Sequence, residues 1–437
     1  MSASQIAIHF FLQFAAILLA CRVVGLIVRR FGQPQVVGEM IAGVCLGPSL
    51  LGLFAPQFQT WLFPTLLLQA GQPVIVEGIR IQHPLMTVLY CIAQLGLVLY
   101  MFCVGTEFDA GLLRNRARAA FSVSLAGILA PFLLGGLIAW MYRGSDAFFT
   151  PNVSFGEEIL FMGAAMSITA FPMLARIIHE RGLTGTSIGT LALAAGSSDD
   201  AAAWCILAIV LAGVSDNPSI ALLAIGGGIA YAAFVLLALR PALKYLAHHF
   251  EPGGKHSGLL LPGTLILLSL AAWFTDLVGI YAVFGAFILG IAMPRGPICE
   301  KLRQRIEPLT TTLLLPAFFV YSGLNTQLAT INTNGLFGAA ALILLASVAA
   351  KGLACFAAAK LHGEPTRDAM AIGALMNARG LMELILLNIG LERGVITPTL
   401  FAILVIMAIV TTLMATPIFE LVYGRKARSD GLIGASH

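Results

Sequence analysis

Long apolar runs separated by short polar segments make up almost the whole chain of 437 residues. The hydrocarbon core of a bilayer is about 30 Å thick, so an α-helix that crosses it needs about 20 apolar residues. Division at the polar, Gly and Pro positions predicts thirteen helices of roughly this length. Their predicted bounds are 6–28, 35–55, 86–106, 119–142, 157–178, 187–214, 219–239, 258–276, 279–293, 308–324, 336–359, 368–389 and 397–422. The pattern therefore predicts an all-α polytopic membrane protein.

The composition supports this fold class and excludes others. Apolar residues make up 59% of the chain and charged residues only 11%, with a mean hydropathy of +0.92. A soluble domain has about a quarter of its residues charged, and a disordered chain is far less apolar. The net charge of +4 is explained by basic loops on one membrane face, so we expect no nucleic-acid partner.

Cysteine and histidine provide no metal or redox chemistry. The seven cysteines are an odd number without C-x-x-C spacing, and the eight histidines form no two-His helical motif. We therefore expect the cysteines to be small core residues, and we expect neither a catalytic metal nor a cofactor.

The basic residues predict the orientation of the chain in the membrane, because cytoplasmic loops collect Lys and Arg. With the N-terminus outside, nineteen of the 25 Lys and Arg residues fall on the cytoplasmic side. The prediction is an integral membrane protein with a cytoplasmic C-terminus, in a bacterial inner membrane or an organellar membrane.

Thirteen alternating helices divide into six, one linker helix and six. A shift of seven helices pairs each early helix with a later one of opposite orientation, which is the inverted-repeat plan of many secondary transporters. Within one transporter unit, 1–437, we predict a first repeat at 1–214, a linker helix and loop at 215–257, and a second repeat at 258–424. A short cytoplasmic tail, 425–437, follows.

Backbone-breaking residues interrupt two predicted helices near the middle of the membrane. The fifth helix is interrupted at 167–172, and the twelfth, its partner seven helices later, at 377–380. Irregular backbone is tolerated at that depth only where it lines a cavity or is buried in protein. Paired broken helices predict a binding site at the membrane midplane.

Two adjacent aspartates, Asp199 and Asp200, lie near the middle of the sixth predicted helix. Each carboxylate at that depth costs about 2.5–3.5 kcal/mol, and neighbouring helical residues point about 100° apart, so two separate roles are expected. Ser197 lies on the face of Asp200, where its hydroxyl could help to coordinate a dehydrated cation. The alternative is a helix-packing pair without a role in transport.

Lys351 is nine residues from the cytoplasmic Lys360, which places it about 14 Å deep in the membrane. An ammonium at that depth needs an anion, and Asp199 is the best candidate by depth. The alternative is a lysine that is solvated in a cavity or reaches a backbone carbonyl.

Three polar residues lie in or beside the second interruption: Asn377, Arg379 and Glu383. Arg379 and Glu383 are four residues apart, so they can pair on one helix face. We interpret the three as compensating the exposed half-helix dipoles near an ion site. A simple packing ion pair is an equally good interpretation.

Five segments carry a resemblance to a known family: 37–43 with 46–48, 167–176, the pair Asp199-Asp200, 284–287 and 376–384. Together they resemble the monovalent cation:proton antiporter superfamily, in the branch of Kef-type transporters and plant cation/proton exchangers. The resemblance covers nearly the whole chain. It implies the sodium/proton antiporter fold and a homodimer, in which a dimerisation domain moves against a core domain with two crossed broken helices.

The resemblance also implies exchange of Na⁺ or K⁺ for H⁺ by alternating access. Asp200 matches the carboxylate that takes either a proton or the monovalent cation, and Asp199 matches its neighbour. Lys351 matches the lysine that pairs with that neighbour in members that exchange more than one proton per ion. Thr169 matches the threonine of the first broken segment.

The chain departs from its relatives in two respects. Plant-type relatives usually carry Asn where this chain has Asp199, so the resemblance does not fix the number of protons exchanged. Kef-type relatives often continue into a cytoplasmic nucleotide-binding domain, and only 425–437 follows the last predicted helix here. We therefore expect no nucleotide-binding domain in cis.

Two other classes of protein use intramembrane aspartates. A cation channel or uniporter could use the same pair, although channel filters are usually built from loops or from rings of side chains around a symmetry axis. An intramembrane aspartyl protease needs two catalytic aspartates from separate helices. Because these two are adjacent on one helix, we expect a protein that is not an enzyme.

Overall fold

The structure is a computed structural model that describes residues 2–33, 35–69, 72–73, 75–76, 79–80, 82–107, 117–151, 153–183, 186–214, 218–249, 257–324 and 334–424. These residues are mostly helical. The helices are α1 Ala3–Arg30, α2 Gln35–Leu46, α3 Leu51–Phe54, α4 Pro56–Leu62, α5 Pro84–Glu107, α6 Ala117–Met141, α7 Phe155–Ser167, α8 Phe171–Glu180, α9 Ser187–Val214, α10 Pro218–Phe234, α11 Arg240–His249, α12 Leu260–Leu277, α13 Ala282–Ala292, α14 Pro297–Leu309, α15 Leu315–Leu324, α16 Asn334–Leu361, α17 Thr366–Leu375, α18 Leu381–Glu392 and α19 Pro398–Phe419.

Short elements complete the described secondary structure. The π-helical turns are Val235–Leu239, Thr310–Leu314 and Glu420–Gly424, and a 3₁₀ turn is Ser257–Leu259. The strands, of two residues each, are β1 Leu68–Gln69, β2 Gln72–Pro73, β3 Ile75–Val76 and β4 Ile79–Arg80. Strand β1 pairs antiparallel with β2, and β3 with β4.

Eight helical segments in the described part of the chain are long and apolar enough to cross a membrane. They are Ser4–Arg30, Gln35–Phe54, Pro84–Glu107, Ala117–Met141, Leu222–Tyr245, Leu260–Leu277, Gly335–Leu361 and Pro398–Gly424. The predicted fold class is therefore confirmed as a mostly helical membrane protein. The number of thirteen spans and the inverted repeat stay predictions.

The chain forms two compact units, and each combines an early and a late part of the sequence. The first unit contains Met1–Phe108 and Gly226–Gln327, and the second contains Asp109–Ile225 and Leu328–His437. The predicted repeats and linker are consecutive segments of the chain, whereas each compact unit combines two distant segments. The two divisions therefore describe different things, and the predicted repeats stay a prediction.

Glycine allows close helix packing in the first unit, where α2 lies against α15. A Cβ atom on Gly47 would come within 2.6 Å of the Gly323 carbonyl oxygen, and one on Gly43 would overlap the Phe319 backbone. Small residues at such contacts let two helix backbones approach, which is how helices associate without a hydrophobic driving force. The buried apolar cluster of this unit contains Ile17, Cys21, Ala42, Leu62, Phe63, Met86, Leu89, Ala317, Val320, Tyr321 and Leu324.

In the second unit, α6 packs against α7, α9 and α16. A Cβ atom on Gly135 of α6 would come within 2.7 Å of the Met162 carbonyl oxygen on α7. A capping box at the start of α7 joins the Ser154 and Glu157 side chains to each other's backbone N–H groups. Such caps satisfy N–H groups that have no partner within the helix, so the start of α7 is fixed by local sequence.

Two breaks in helical structure meet in this second unit. Helix α7 ends at Ser167 and α8 begins at Phe171, while α17 ends at Leu375 and α18 begins at Leu381. The Ala170 N–H donates to the Ala378 carbonyl oxygen at 3.1 Å. Backbone groups that leave a helix need other partners when no water is present, and here the two breaks supply one for each other.

Candidate functional site

Asp199 lies on α9 with its carboxylate buried beside the first break. Only 1% of the residue is exposed. Its Oδ2 atom accepts a hydrogen bond from the Thr169 hydroxyl at 2.5 Å and lies 3.4 Å from Lys351 Nζ. A threonine from the break and a lysine from α16 therefore converge on one oxygen of this carboxylate.

Lys351 is fully buried on α16, with polar partners from three other parts of the second unit. Its Nζ atom donates to the Gly127 carbonyl oxygen at 3.0 Å, to the Ser167 carbonyl oxygen and to Asp199 Oδ2. An ammonium has three donors, and all three are used. The two interpretations from the sequence, a pair with Asp199 and a contact with backbone carbonyls, are therefore both present in the structure.

Arg379, in the second break, satisfies the carbonyl end of α7. Its Nη1 atom donates to the carbonyl oxygens of Ala165 at 2.9 Å and Ile168 at 3.4 Å, and Nη2 donates to that of Met166 at 2.5 Å. Nη2 also donates to the Ser347 hydroxyl at 2.5 Å. The last carbonyls of a helix have no partner within it and carry a partial negative charge, which a guanidinium compensates.

Glu383 lies in the first turn of α18 and is fully buried. Its Oε2 atom is 3.6 Å from Arg379 Nη1, and no described residue donates a hydrogen bond to either carboxylate oxygen. A negative charge at the start of a helix is favoured by the helix dipole. The predicted i,i+4 pair thus lies between the carbonyl end of one half-helix and the amide end of another.

The remaining predicted residues have more local contacts. Asn377 Nδ2 donates to the Gly373 carbonyl oxygen at 2.9 Å, and the Ser197 hydroxyl donates to that of Ala194 at 2.9 Å. Asp200 lies within α9, but its side chain is outside the described part of the structure. Its expected role in binding the cation and proton stays a prediction.

The sequence did not indicate several members of this site. The carbonyl groups of Gly127, Ala165 and Met166 have no side-chain signal, because any residue offers a carbonyl. Ser347 lies four residues before Lys351, on the same face of α16. That spacing is the one signal that could have placed Ser347 in the site.

No group of three or more His, Cys, Asp or Glu side chains that could hold a metal ion occurs in the described ranges. The polar atoms of the site are instead carboxylate, hydroxyl and carbonyl oxygens together with two cations. Oxygen ligands of this kind suit hard cations better than soft transition metals.

Comparison with known proteins gives consistent matches along the chain. Residues 15–422 match the family described as "Sodium/hydrogen exchanger, transmembrane". The "Na(+)/H(+) antiporter NhaS4" of Synechocystis sp. is 40% identical over 405 residues, which are 92% of this chain and 94% of that protein.

Longer relatives match over part of their length. "Cation/H(+) antiporter 17" of Arabidopsis thaliana is 37% identical over 94% of this chain and 48% of its own length. "K(+)/H(+) antiporter 1" of Saccharomyces cerevisiae is 30% identical over 97% of this chain and 47% of its own length. This chain therefore spans about half the length of these plant and yeast relatives.

The fold is similar to that of a solved transporter, the sodium proton antiporter MjNhaP1 from Methanocaldococcus jannaschii. The TM-score is 0.65 at 17% identity, over 98% of this chain and 99% of that one. The family match over most of the chain and the identity to NhaS4 confirm the resemblance that the motifs predicted. The chain belongs to the sodium/hydrogen exchanger family, whose members are transmembrane transporters and not enzymes.

Proposed function

We propose that this chain exchanges a monovalent cation, Na⁺ or K⁺, for protons by alternating access at an aspartate in the middle of the membrane. The observation that carries the proposal is the buried Asp199–Lys351 pair beside two helix breaks that hydrogen-bond to each other. The relatives' names support cation/proton antiport, and they include both Na⁺ and K⁺ exchangers. No resident cofactor is needed, because the ions themselves are the substrates.

Asp200 is the residue that takes either the proton or the cation. It directly follows Asp199 on α9, and adjacent positions are about 100° apart around the axis of a helix. A carboxylate that holds a proton is neutral and no longer attracts the cation, and a bound cation repels the proton. One carboxylate therefore couples the two fluxes by competition.

Lys351 supplies a second proton in this proposal. When the cation enters, the Asp199 carboxylate turns from the ammonium towards the cation. Lys351 Nζ then loses the one anionic partner that it has among the described residues, and the Gly127 and Ser167 carbonyls remain as contacts. A buried ammonium without a counter-ion releases a proton and becomes a neutral amine. Two protons then leave for each cation that enters, so exchange moves one net charge per cycle.

Arg379 and Glu383 have a supporting role in this proposal. The guanidinium satisfies the carbonyl end of α7, and Glu383 lies in the first turn of α18. Because Arg379 compensates the partial negative charge of the α7 carbonyl end, the transported cation is not needed there as a counter-charge. The cation can then leave the site in each cycle.

The proposed function includes an architecture for the whole chain. It has thirteen spans arranged as inverted repeats, with the N-terminus outside and the C-terminus cytoplasmic, and it works as a homodimer. The paired breaks in α7–α8 and α17–α18 support the repeat. Reporter fusions at each terminus test the orientation, and native mass spectrometry in detergent tests the dimer; a monomer or an outer C-terminus would contradict this architecture.

The deciding experiment is Asp200→Asn in proteoliposomes, with proton flux measured as Na⁺, K⁺ or choline chloride is added. We expect loss of all cation-dependent proton flux, because an amide cannot carry the proton. Asp276→Asn, the same change at an exposed helix end, should leave exchange unchanged. Persistent exchange in Asp200→Asn would overturn the assignment, and cation currents without proton movement in the wild type would indicate a channel or uniporter.

Lys351→Ala tests the second proton separately. With the lysine removed, one proton per cation remains, so a clamped membrane potential should no longer affect the exchange rate. An unchanged voltage dependence would contradict the partnership of Lys351 with Asp199.

A further inference from the structure

Asn377 has a buried side-chain amide whose nitrogen is hydrogen-bonded and whose oxygen is not. The residue is 4% exposed, and its Nδ2 atom donates to the Gly373 carbonyl oxygen at 2.9 Å. That hydrogen bond fixes the amide orientation, because a flipped amide would place two oxygens against each other. The Oδ1 atom has no hydrogen-bond donor among the described residues.

Asn377 lies in a segment that contacts the two segments holding the groups that bind Asp199. Its chain neighbour Ala378 accepts a hydrogen bond from Ala170, the residue that follows Thr169. A Cβ atom on Gly352, the residue that follows Lys351, would come within 3.0 Å of Asn377 Nδ2. The asparagine therefore contacts the residue that follows the lysine, and its chain neighbour contacts the residue that follows the threonine.

Asp199 also presents an unsatisfied oxygen. Its Oδ2 atom contacts Thr169 and Lys351, whereas its Oδ1 atom has no donor in the part of the chain that the structure describes. A buried acceptor without a partner is unfavourable, and both of these oxygens can accept from a donor or coordinate a cation. Carboxylate and amide oxygens are ligands that hard cations prefer.

We propose that Asn377 is a further ligand of the transported cation, through its amide oxygen, when Asp199 has turned from Lys351 towards that cation. This inference rests on the proposed function and adds a neutral oxygen to the acidic ligands. The oxygen contributes binding without a change of charge, so it affects the affinity for the cation and leaves the number of exchanged protons unaltered.

Two substitutions test the amide oxygen. Asn377→Leu has the same branching at Cγ but is larger, and it removes both the oxygen and the Nδ2 donor. Asn377→Asp retains an oxygen ligand, and in its protonated form its hydroxyl can still donate to Gly373. Asn388→Leu is the matched control, because Asn388 Nδ2 also donates to the carbonyl four residues earlier, at 2.8 Å.

The measurement is the cation concentration that gives half-maximal proton flux in proteoliposomes, together with the thermal stabilisation of purified protein by NaCl or KCl relative to choline chloride. For Asn377→Leu we expect apparent cation affinity to fall at least about tenfold, since an interaction with a charged group contributes more than one decade in binding. Asn377→Asp should stay within about threefold, and Asn388→Leu should be unchanged.

Gly352→Ala provides an independent test if Asn377→Leu fails to fold. The added methyl group displaces the Asn377 amide and should weaken cation binding severalfold, whereas Gly338→Ala on the same helix has nothing within 4 Å of its Cβ and should have no effect. Equal damage by Asn377→Leu and Asn377→Asp would mean that only the Nδ2 bond matters, and the proposal would be wrong. Wild-type cation affinity in Asn377→Leu would also overturn the role of Asn377. The proposed function has its own test, and it would stand in that case if Asp200→Asn still abolished exchange.

Discussion

Replacement of Arg379 by methionine should strongly destabilise the protein. The guanidinium is fully buried and donates to the carbonyl oxygens of Ala165, Met166 and Ile168. Each buried carbonyl that loses its donor costs about 1–3 kcal/mol, or about 3–9 kcal/mol for three. Removal of one partner from the buried pair with Glu383 costs about 3–5 kcal/mol more.

The sum is comparable to the whole unfolding free energy of a typical domain, about 5–15 kcal/mol. One kcal/mol shifts the melting temperature of a unit of this size by about 2–4 °C. We therefore expect Arg379→Met to melt at least about 12 °C below the wild type, measured on purified protein in detergent. Arg393→Met, the same change at an exposed residue, should leave the melting temperature unchanged.

A double substitution shows which contacts of Arg379 stabilise the protein. In Arg379→Met/Glu383→Gln the unpaired carboxylate is removed, so about 3–5 kcal/mol should return, while the carbonyl end of α7 stays unsatisfied. Full recovery would mean that Arg379 serves only to neutralise Glu383. A melting temperature within about 3 °C of the wild type in Arg379→Met alone, less than about 1.5 kcal/mol, would refute the reasoning.

Three further substitutions test the packing and the local backbone. Gly127→Ala should lower the melting temperature, because its Cβ would lie 2.7 Å from the Cys355 sulfur, and Cys355→Ala in the same chain should restore it. Gly380→Ala should lower it by the equivalent of about 1–3 kcal/mol, since Gly380 has φ +158°, a conformation that disfavours other residues; a loss no larger than in Gly338→Ala would contradict this. The Thr397 hydroxyl caps α19 by accepting a hydrogen bond from the Leu400 N–H at 3.2 Å. Thr397→Ala should therefore lower the free energy of unfolding by about 1 kcal/mol, measured by thermal unfolding, and Thr397→Ser should retain most of this stability.

The sequence was most informative where burial in a membrane leaves few choices. A charged side chain in a long apolar run must face protein or a cavity, so Asp199, Lys351 and Arg379 could be recognised as site residues by position alone. The breaks near Ser167 and Gly380 were equally visible, because polar, Gly and Pro residues interrupt both runs. The structure has non-helical segments at both positions.

The pairing of these groups was only partly predictable. The i,i+4 spacing predicted the contact between Arg379 and Glu383, which the structure has at 3.6 Å. Depth in the membrane favoured Asp199 as the partner of Lys351, and the two are 3.4 Å apart. Depth is a single coordinate, however, and it does not determine which helix lies beside which.

The sequence by itself determined the helical membrane class and the family, because these depend on hydropathy and on the identity of side chains along the chain. Only the tertiary structure decided that Arg379 hydrogen-bonds to carbonyl groups of α7, more than 200 residues earlier. A carbonyl becomes available where its helix ends, and every residue type offers the same carbonyl. The donor that reaches it depends on which segments cross, and that is set by packing in three dimensions.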